Sequence, residues 1–454
     1  MLSRRELLAG APAAAFSTPQ APRQSKRPPN FIVFLTDDHG FADLGCQGSN
    51  DLKTPNLDAL AASGARFTNW YANAPVCAPS RASLLTGRYP IRAGVPNNGQ
   101  PLKSSELTLA ALLKTAGYRT GIFGKWHLGS TPDTVPNAHG FDQFFGFHSG
   151  CVDFFSHRYY WGEPKTVNYH DLWRNRTEVF EDGQYLTELI TREAKNFVQQ
   201  NRDRPFFLYL PYNAVHYPMH APRKYIERFP NLDRERQTYA AMLSAMDDGV
   251  GEIMTLVEQL GMRENTFVHY QADNGATRET RAGLDGKPPT AGHNGILRGN
   301  KFSLFDGGMH VPAIMSWPGT IPPNQVISEV GMSMDLLPTF CRLAGVSPPA
   351  GRTIDGRDIL PVAASRAKSP HEAVYWANAG QLAARQGKWK LVMNGIPFDG
   401  TPAGREPMKG GDSIFLSNLD IDPGETANRR REQPGVVDEL ATKAHEWLDD
   451  VKKM

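Results

Sequence analysis

The chain reads as an α/β protein, with one large mixed, mainly parallel sheet flanked by helices and a smaller α+β region after it. Three observations predict this. From residue 30 to about 345, short apolar runs with strand character alternate with helical patterns, as expected for a parallel sheet covered on both faces. After the Pro-rich GVSPPAGR the alternation gives way to closely spaced strand-like runs and one final helix. The composition also permits a large core, since 40% of the 454 residues are hydrophobic and only 21% charged, which excludes a disordered chain or a membrane bundle.

The first 22 residues, MLSRRELLAGAPAAAFSTPQAP, combine a basic start, a short apolar stretch and small residues where a peptidase could cut. They read as an export signal. Arg4 and Arg5 ahead of the apolar stretch suggest the twin-arginine route, hence an exported protein, periplasmic or secreted. That stretch is too short to span a membrane as a stable helix.

Beyond it, FIVFLT, TGIFGKW, PFFLYL, TFVHYQA and VPAIMSW are the candidate strands. Between the first two, TPNLDALAASG predicts a helix with Thr54 at the N-cap and Pro55 in the first turn, and Gly64 and Gly117 suit helix ends. In the C-terminal part EAVYWA, QLAARQGKWKLV and SIFLSNL predict strands, and GVVDELATKAHEWLDDV predicts a terminal helix. The expected organisation is therefore a signal and linker over 1–29, a main domain over 30–345 and a smaller domain over 346–454 with antiparallel strands and that helix.

Charge and cysteine usage narrow the function classes. The 49 basic and 47 acidic residues leave a formal net charge of +2, with no basic run beyond the N-terminal segment, so no nucleic-acid partner is expected. Four cysteines, Cys46, Cys77, Cys151 and Cys341, are too few for a disulfide scaffold. One disulfide is compatible with them, with no pairing assigned.

In open α/β sheets ligands bind beyond the carboxyl ends of the strands, so polar residues directly after the apolar runs carry weight. Asp37 and Asp38 follow FIVFLT, Asp273 and Asn274 follow TFVHYQA, Lys125 and His127 close TGIFGKWHLG, and PFFLYLPYNAVHYP leads to His216. The two Asx pairs offer only carboxylate and amide oxygens, the donor set of a hard cation such as Ca²⁺ or Mg²⁺, with calcium favoured over zinc. Either pair alone reads first as a turn or cap; their matched positions at two strand ends reverse that and point to a metal.

Cys77 precedes Pro79, Ser80 and Arg81 at a predicted helix start, where backbone N–H groups favour an anion. As a plain cysteine it is either a low-pKa nucleophile or a core residue. A thiolate is an odd neighbour for a hard cation, and no cysteine-protease signature surrounds it.

The stretch Cys77-Ala78-Pro79-Ser80-Arg81 followed by Leu85-Thr86-Gly87-Arg88 resembles the signature of the type I sulfatases, of the alkaline phosphatase superfamily, in which this cysteine is oxidised to formylglycine. DDHG, GKWHLG, ADNG, LRGNK and GFDQFFGF extend the resemblance over nearly the whole chain after the signal. It implies an alkaline-phosphatase-like sheet and a sulfuric ester hydrolase of the arylsulfatase type. It also implies one Ca²⁺ held by Asp37, Asp38, Asp273 and Asn274 beside the formylglycine at position 77. Arg81, Lys125, His127, His216 and Lys301 match the family's basic pocket. By the same resemblance the hydrated aldehyde is the nucleophile, His216 and Lys301 protonate the departing alcohol, and His127 takes a proton as sulfate is expelled. Fixed cations and a metal suit a reaction that gains charge on its leaving oxygen.

A formylglycine-generating or sulfatase-maturating enzyme is the implied partner in maturation, and a small-molecule or oligosaccharide sulfate ester the implied substrate. A phosphonate monoester or phosphodiester hydrolase of the same superfamily is the alternative, since fold alone does not fix function. One departure from the family pattern lies in LFDGGMHVP, where many members have Glu and Arg in place of Asp306 and His310; a changed structural pair or an altered substrate rim accounts for it. The segment from about 148 to 180 is rich in aromatic and basic residues and has little periodicity, which suits either a loop shaping a sulfated-sugar site or an ordinary packed insertion.

Overall fold

The computed structural model of the protein describes residues 27–160 and 168–453. The export signal expected over 1–29 therefore lies outside the described residues except for its last three. Among the described residues, no helix is long and apolar enough to cross a membrane.

Ten strands form one mixed sheet. From edge to edge they are Gln325–Ile327, Ala65–Phe67, Ala313–Ser316, Thr266–Ala272, Asn30–Thr36, Phe206–Pro211, Arg119–Lys125, Gln143–Phe147, Trp173–Arg174 and Thr177–Glu178. The five strands from Thr266–Ala272 to Gln143–Phe147 run parallel, and Ala313–Ser316 pairs antiparallel with Thr266–Ala272. Covering both faces explains the unbroken apolar run of the central strand, in which all seven residues of NFIVFLT are buried. Ile32 and Phe34 enter one core with the helices Leu186–Gln200 and Arg234–Gln259, while Phe31, Val33 and Leu35 enter the other with Cys77–Thr86, Leu109–Thr115 and Leu336–Ala344. The period-2 alternation of a strand thus serves two cores at once.

Register fixes what emerges at the carboxyl edge. Thr36 pairs with Ala272, and Leu35 with Pro211. Asp37 and Asp273 consequently leave the sheet side by side.

Two local expectations need correction. Pro55 opens the helix Pro55–Ala62, but the Thr54 hydroxyl does not cap it and donates instead to Asp58 Oδ1 at 3.2 Å. The free N–H groups of Asn56 and Leu57 are taken by the Asp247 carboxylate of the long helix, at 3.1 and 2.8 Å, so a tertiary cap replaces the local one. Gly117 does end the helix Leu109–Thr115 with φ of +82°. Gly64, by contrast, has no left-handed φ; it lies so close to a neighbouring strand that an added Cβ would sit 2.2 Å from the Met315 carbonyl oxygen.

Past the main sheet, Val374–Asn378, Gln381–Gln386, Trp389–Met393 and Ile414–Asn418 form an antiparallel meander. The helix Pro434–Lys452 packs on one face through Leu440 and Ala444, against Leu382, Ala384, Leu391 and Leu416. On the other face Trp376, Val392 and Phe415 share a core with Tyr71, Phe305, Met309 and Met332 of the larger part. Before this meander, Ile359, Leu360, Val362 and Ala363 still pack in the large-sheet core.

A buried charged network closes the seam between the two sheets. Lys390 Nζ donates to Asp306 Oδ1 at 2.6 Å and lies 3.1 Å from Glu425 Oε1, the Tyr71 hydroxyl donates to Asp306 Oδ2 at 2.8 Å, and His310 Nδ1 is 3.0 Å from the same oxygen. Asp306 and His310 therefore form a structural pair at this seam and not a substrate rim. All four cysteines are free thiols.

Candidate active site

Four strand ends and one helix start build the site. Asp37 and Asp38 follow the central strand, with Asp38 at φ +57°; Asp273 and Asn274 follow the neighbouring strand, Lys125 ends the strand Arg119–Lys125, and the chain beyond the strand Phe206–Pro211 brings His216. Cys77 is the first residue of the helix Cys77–Thr86, which Gly87 closes with a left-handed φ of +67°. Its first-turn N–H of Ala78 is bonded to Asn98 Oδ1 at 3.0 Å.

The ten residues singled out from the sequence come together at one cavity floor. Lys125 Nζ donates to Asp37 Oδ2 at 2.6 Å. The Arg81 guanidinium holds Asp273 Oδ2 through Nε and Nη2 at 3.1 and 2.8 Å, and its Nη1 donates to the Lys125 carbonyl at 3.1 Å. Lys301 Nζ donates to Asp38 Oδ2 at 2.9 Å and lies 3.5 Å from His216 Nε2. Cys77 Sγ is 3.5 Å from Asp37 Oδ1 and 3.9 Å from Asp38 Oδ1. One donor atom each from Asp37, Asp38, Cys77 and His216 lies within 4.8 Å of all the others. Cys77, His127, His216 and Lys301 face a cavity of about 710 Å³.

Charge balance in this dry cluster separates the protonation states. Burial raises the Asp37 carboxyl, yet Lys125, Arg81 and Lys301 outweigh it and hold the group below the ordinary carboxylate range. Asp38 is pushed up to about 7 by burial, with Asp37, Asp273 and Glu279 adding to it against Lys301. Burial also raises the Cys77 thiol well above its ordinary value despite Lys125 and Lys301, so an unmodified Cys77 is a poor thiolate. Burial first, and the nearby lysines second, push His127 and His216 well below the ordinary imidazole range, so both are neutral near pH 7.

His216 Nδ1 lies 2.7 Å from the Tyr217 carbonyl oxygen; a carbonyl only accepts, so Nδ1 carries the proton and Nε2 presents its lone pair to Lys301. Among the described residues, His127 keeps a buried Nδ1 without a hydrogen-bond partner. So does Asn274 at Oδ1, whose amide nitrogen donates to Asp38 Oδ1 at 2.7 Å.

Sequence reasoning missed Glu279, whose Oε2 lies 3.1 Å from Lys301 Nζ. Burial would raise it, but Lys301 and Arg281 bring it down to about 2. No periodic pattern marks its loop, and only the nearby ADNG could have drawn attention to it. The segment from about 148 to 180 does reach the cavity, through His148, Cys151, Tyr159, Tyr169, His170 and Trp173. Asp171 shapes this wall, accepting from the backbone N–H groups of His148 and Ser149 and from the Trp173 indole at 3.1, 2.8 and 2.8 Å.

Comparison with known proteins gives a consistent picture. The sulfatase family model matches residues 29–346. The N-acetylgalactosamine-6-sulfatase of Mus musculus is 38% identical over 390 residues, covering 80% of this chain and 72% of that protein. Human arylsulfatase A is 33% identical over 463 residues, covering 92% of this chain and 87% of its own length. Among solved structures, Ps i-CgsB in complex with k-i-k-neocarrahexaose superposes with a TM-score of 0.81 at 31% identity, covering 93% of each chain.

Proposed function

The chain belongs to the sulfatase family and is a sulfate ester hydrolase, and from that premise we propose that it desulfates a carbohydrate, using a calcium ion and a formylglycine made from Cys77. The observation that carries the site assignment is the convergence of Asp37, Asp38, Asp273 and Asn274 with Arg81, Lys125 and Lys301 around Cys77 at the cavity floor. The carbohydrate reading draws on the sugar sulfates named for the N-acetylgalactosamine-6-sulfatase and on the neocarrahexaose bound by Ps i-CgsB.

The residues fit calcium. Asp37, Asp38, Asp273 and Asn274 supply oxygen donors only, and Asn274 Oδ1 is buried with no hydrogen-bond partner among the described residues, an arrangement a hard cation completes. When bound, the ion offsets the clustered carboxylates and polarises the oxygen at position 77. The raised pKa of the buried thiol supports conversion of Cys77, since the unmodified residue would be a weak nucleophile. A hydrated aldehyde at position 77 would supply one hydroxyl as nucleophile toward sulfur and a second to release sulfate afterwards.

This chain's own groups then have distinct tasks. Arg81 fixes Asp273 and Lys125 fixes Asp37 while both add positive charge where sulfate oxygens settle. Lys301, held charged by Asp38 and Glu279, is the proton donor to the leaving oxygen. His216 orients it through Nε2, because its own proton sits on Nδ1 and points to the Tyr217 carbonyl. His127, neutral and with a buried nitrogen unsatisfied, is the base that takes a proton at position 77.

Cys77 is 1% exposed, so a maturating enzyme must act before the chain folds, and the N-terminal signal accounts for export of the finished protein. The test of this reading is release of inorganic sulfate from sulfated galactosyl oligosaccharides, followed by ion chromatography. Sulfate release with the sugar chain intact is expected. Turnover of aryl sulfate alone, with no release from any sulfated sugar, would remove the carbohydrate part and leave the sulfatase.

A further inference from the structure

Beside the main cavity lies a second one of about 320 Å³, whose chemistry the reading above does not use. The two cavities share Arg281, Lys301 and Phe302. The second adds Arg278, Glu279 and Arg405, so four cations face one carboxylate.

Two of these guanidinium groups lack an anionic partner among the described residues. Arg278 donates through Nη1 to the Thr277 carbonyl at 3.1 Å and through Nη2 to the Gly292 carbonyl at 3.0 Å, and forms no ion pair. Burial pushes its pKa below the ordinary arginine value, with only more distant charge from Tyr239, Asp43 and Glu235 opposing. Arg405, brought in by the turn Ala403–Arg405 of the C-terminal region, donates to the Thr280 hydroxyl at 2.8 Å and likewise forms no ion pair.

A half-buried guanidinium held by neutral carbonyls retains most of its charge for a ligand, and its planar fork suits an oxyanion. The Phe302 and Phe398 rings, 5.2 Å apart, supply an apolar wall against which a sugar face can lie. Lys301 ties the two spaces together, since it reaches the site cluster and also lines the second cavity.

We propose that this second cavity is an anion subsite, formed jointly by the loop around Arg278 and the C-terminal turn at Arg405. It takes a sulfate or carboxylate on the sugar ring next to the one that loses sulfate. The preferred substrate is then an oligosaccharide with at least two anionic groups. This inference rests on the carbohydrate reading above.

The test is calorimetric titration of the full-length Cys77→Ala protein, in calcium, with three galactosyl disaccharides. All three carry the same sulfated galactose, and the neighbouring ring is neutral, sulfated or a uronate. Binding of the sulfated or the uronate compound is expected to be about tenfold tighter than of the neutral one, and the compound that gains shows which anion is preferred. Arg278→Gln and Arg405→Glu should each bring that ratio to within about twofold of unity. Arg405 is exposed, so its variant keeps the test open if Arg278→Gln fails to fold. Equal affinity for all three compounds in the parent protein overturns the subsite and leaves the carbohydrate reading standing. No binding of any of the three overturns both.

Discussion

Two buried charge clusters in this molecule use nearly the same groups for opposite ends. At the carboxyl edge of the large sheet, Asp37 is held below the carboxylate range while Asp38 is pushed up to about 7. At the seam with the small sheet, Asp306 is held low while Glu425 is pushed up to about 7, by burial and Asp306 against Lys390. The difference lies in closure. Both Asp306 oxygens are occupied, by Lys390 on one side and by Tyr71 and His310 on the other. The edge cluster opens on the main cavity through Cys77, His216 and Lys301 and keeps Asn274 Oδ1 and His127 Nδ1 unpartnered. Glu425 Oε1 makes no hydrogen bond either among the described residues, but it lies 3.1 Å from Lys390 Nζ. Buried charge neutralised by ion pairs fastens two layers together, whereas buried charge with unfilled positions beside a cavity is poised to receive a ligand.

Removing a member of each cluster should separate the two roles. Cys77→Ala is expected to lower aryl sulfatase activity by about a thousandfold or more, with thermal unfolding close to that of the parent protein. Lys390→Met should do the reverse, destabilising the fold by about 3–5 kcal/mol by stranding Asp306 and Glu425, while turnover per folded molecule changes little. Unchanged stability together with lost turnover in Lys390→Met would erase the distinction drawn here.

Within the edge cluster, Lys301→Ala should cost about a hundredfold on a substrate with a poor leaving group and less than about tenfold on an activated aryl sulfate, because only the former needs the proton. Comparing kcat/KM for the two substrates checks this, and equal losses would argue that Lys301 only positions. Calcium should stabilise the protein through the same cluster, by about 2.7 kcal/mol when present at a hundred times its dissociation constant. Differential scanning calorimetry with and without chelator measures that gain, which Asn274→Ala should shrink.

A pH dependence at the seam separates the clusters in another way. Glu425 has a folded pKa of about 7 against an ordinary 4.5, so the folded state holds a proton that the unfolded state has released between those values. Its contribution to stability is therefore full below about 4.5 and is lost as pH rises through 7. Glu425→Gln should flatten this fall in denaturant titrations between pH 4.5 and 7; an unchanged slope would place the titration elsewhere.

Much of this architecture was readable in advance, for a physical reason. A parallel strand covered on both faces is mostly apolar, so NFIVFLT announces itself, and TFVHYQA does so despite the buried His269 and Gln271; the polar residues just beyond both fall where the sheet delivers ligands. The register pairing Thr36 with Ala272 then turns two separate Asx pairs into neighbours. What escaped has no local signal. Asp247 capping another helix, Glu279 reaching Lys301 and Arg405 closing a cavity with Arg278 are all contacts between segments far apart in sequence. Thr54 misled because a suitable side chain stood at the right place while a distant carboxylate made the bonds. The structural role of Asp306 and His310 becomes intelligible only once Lys390 is seen between Asp306 and Glu425.

The central claim is that position 77 reacts as an aldehyde at the floor of the charged cavity. Its most direct test is peptide mass spectrometry of the segment containing residue 77, on preparations made with and without a maturating enzyme, alongside aryl sulfatase assays of the same samples. Activity is predicted to rise in proportion to the aldehyde fraction and to vanish when only cysteine is found. Full activity in protein whose residue 77 is entirely unmodified cysteine would contradict the account and require a thiol-based mechanism at this site.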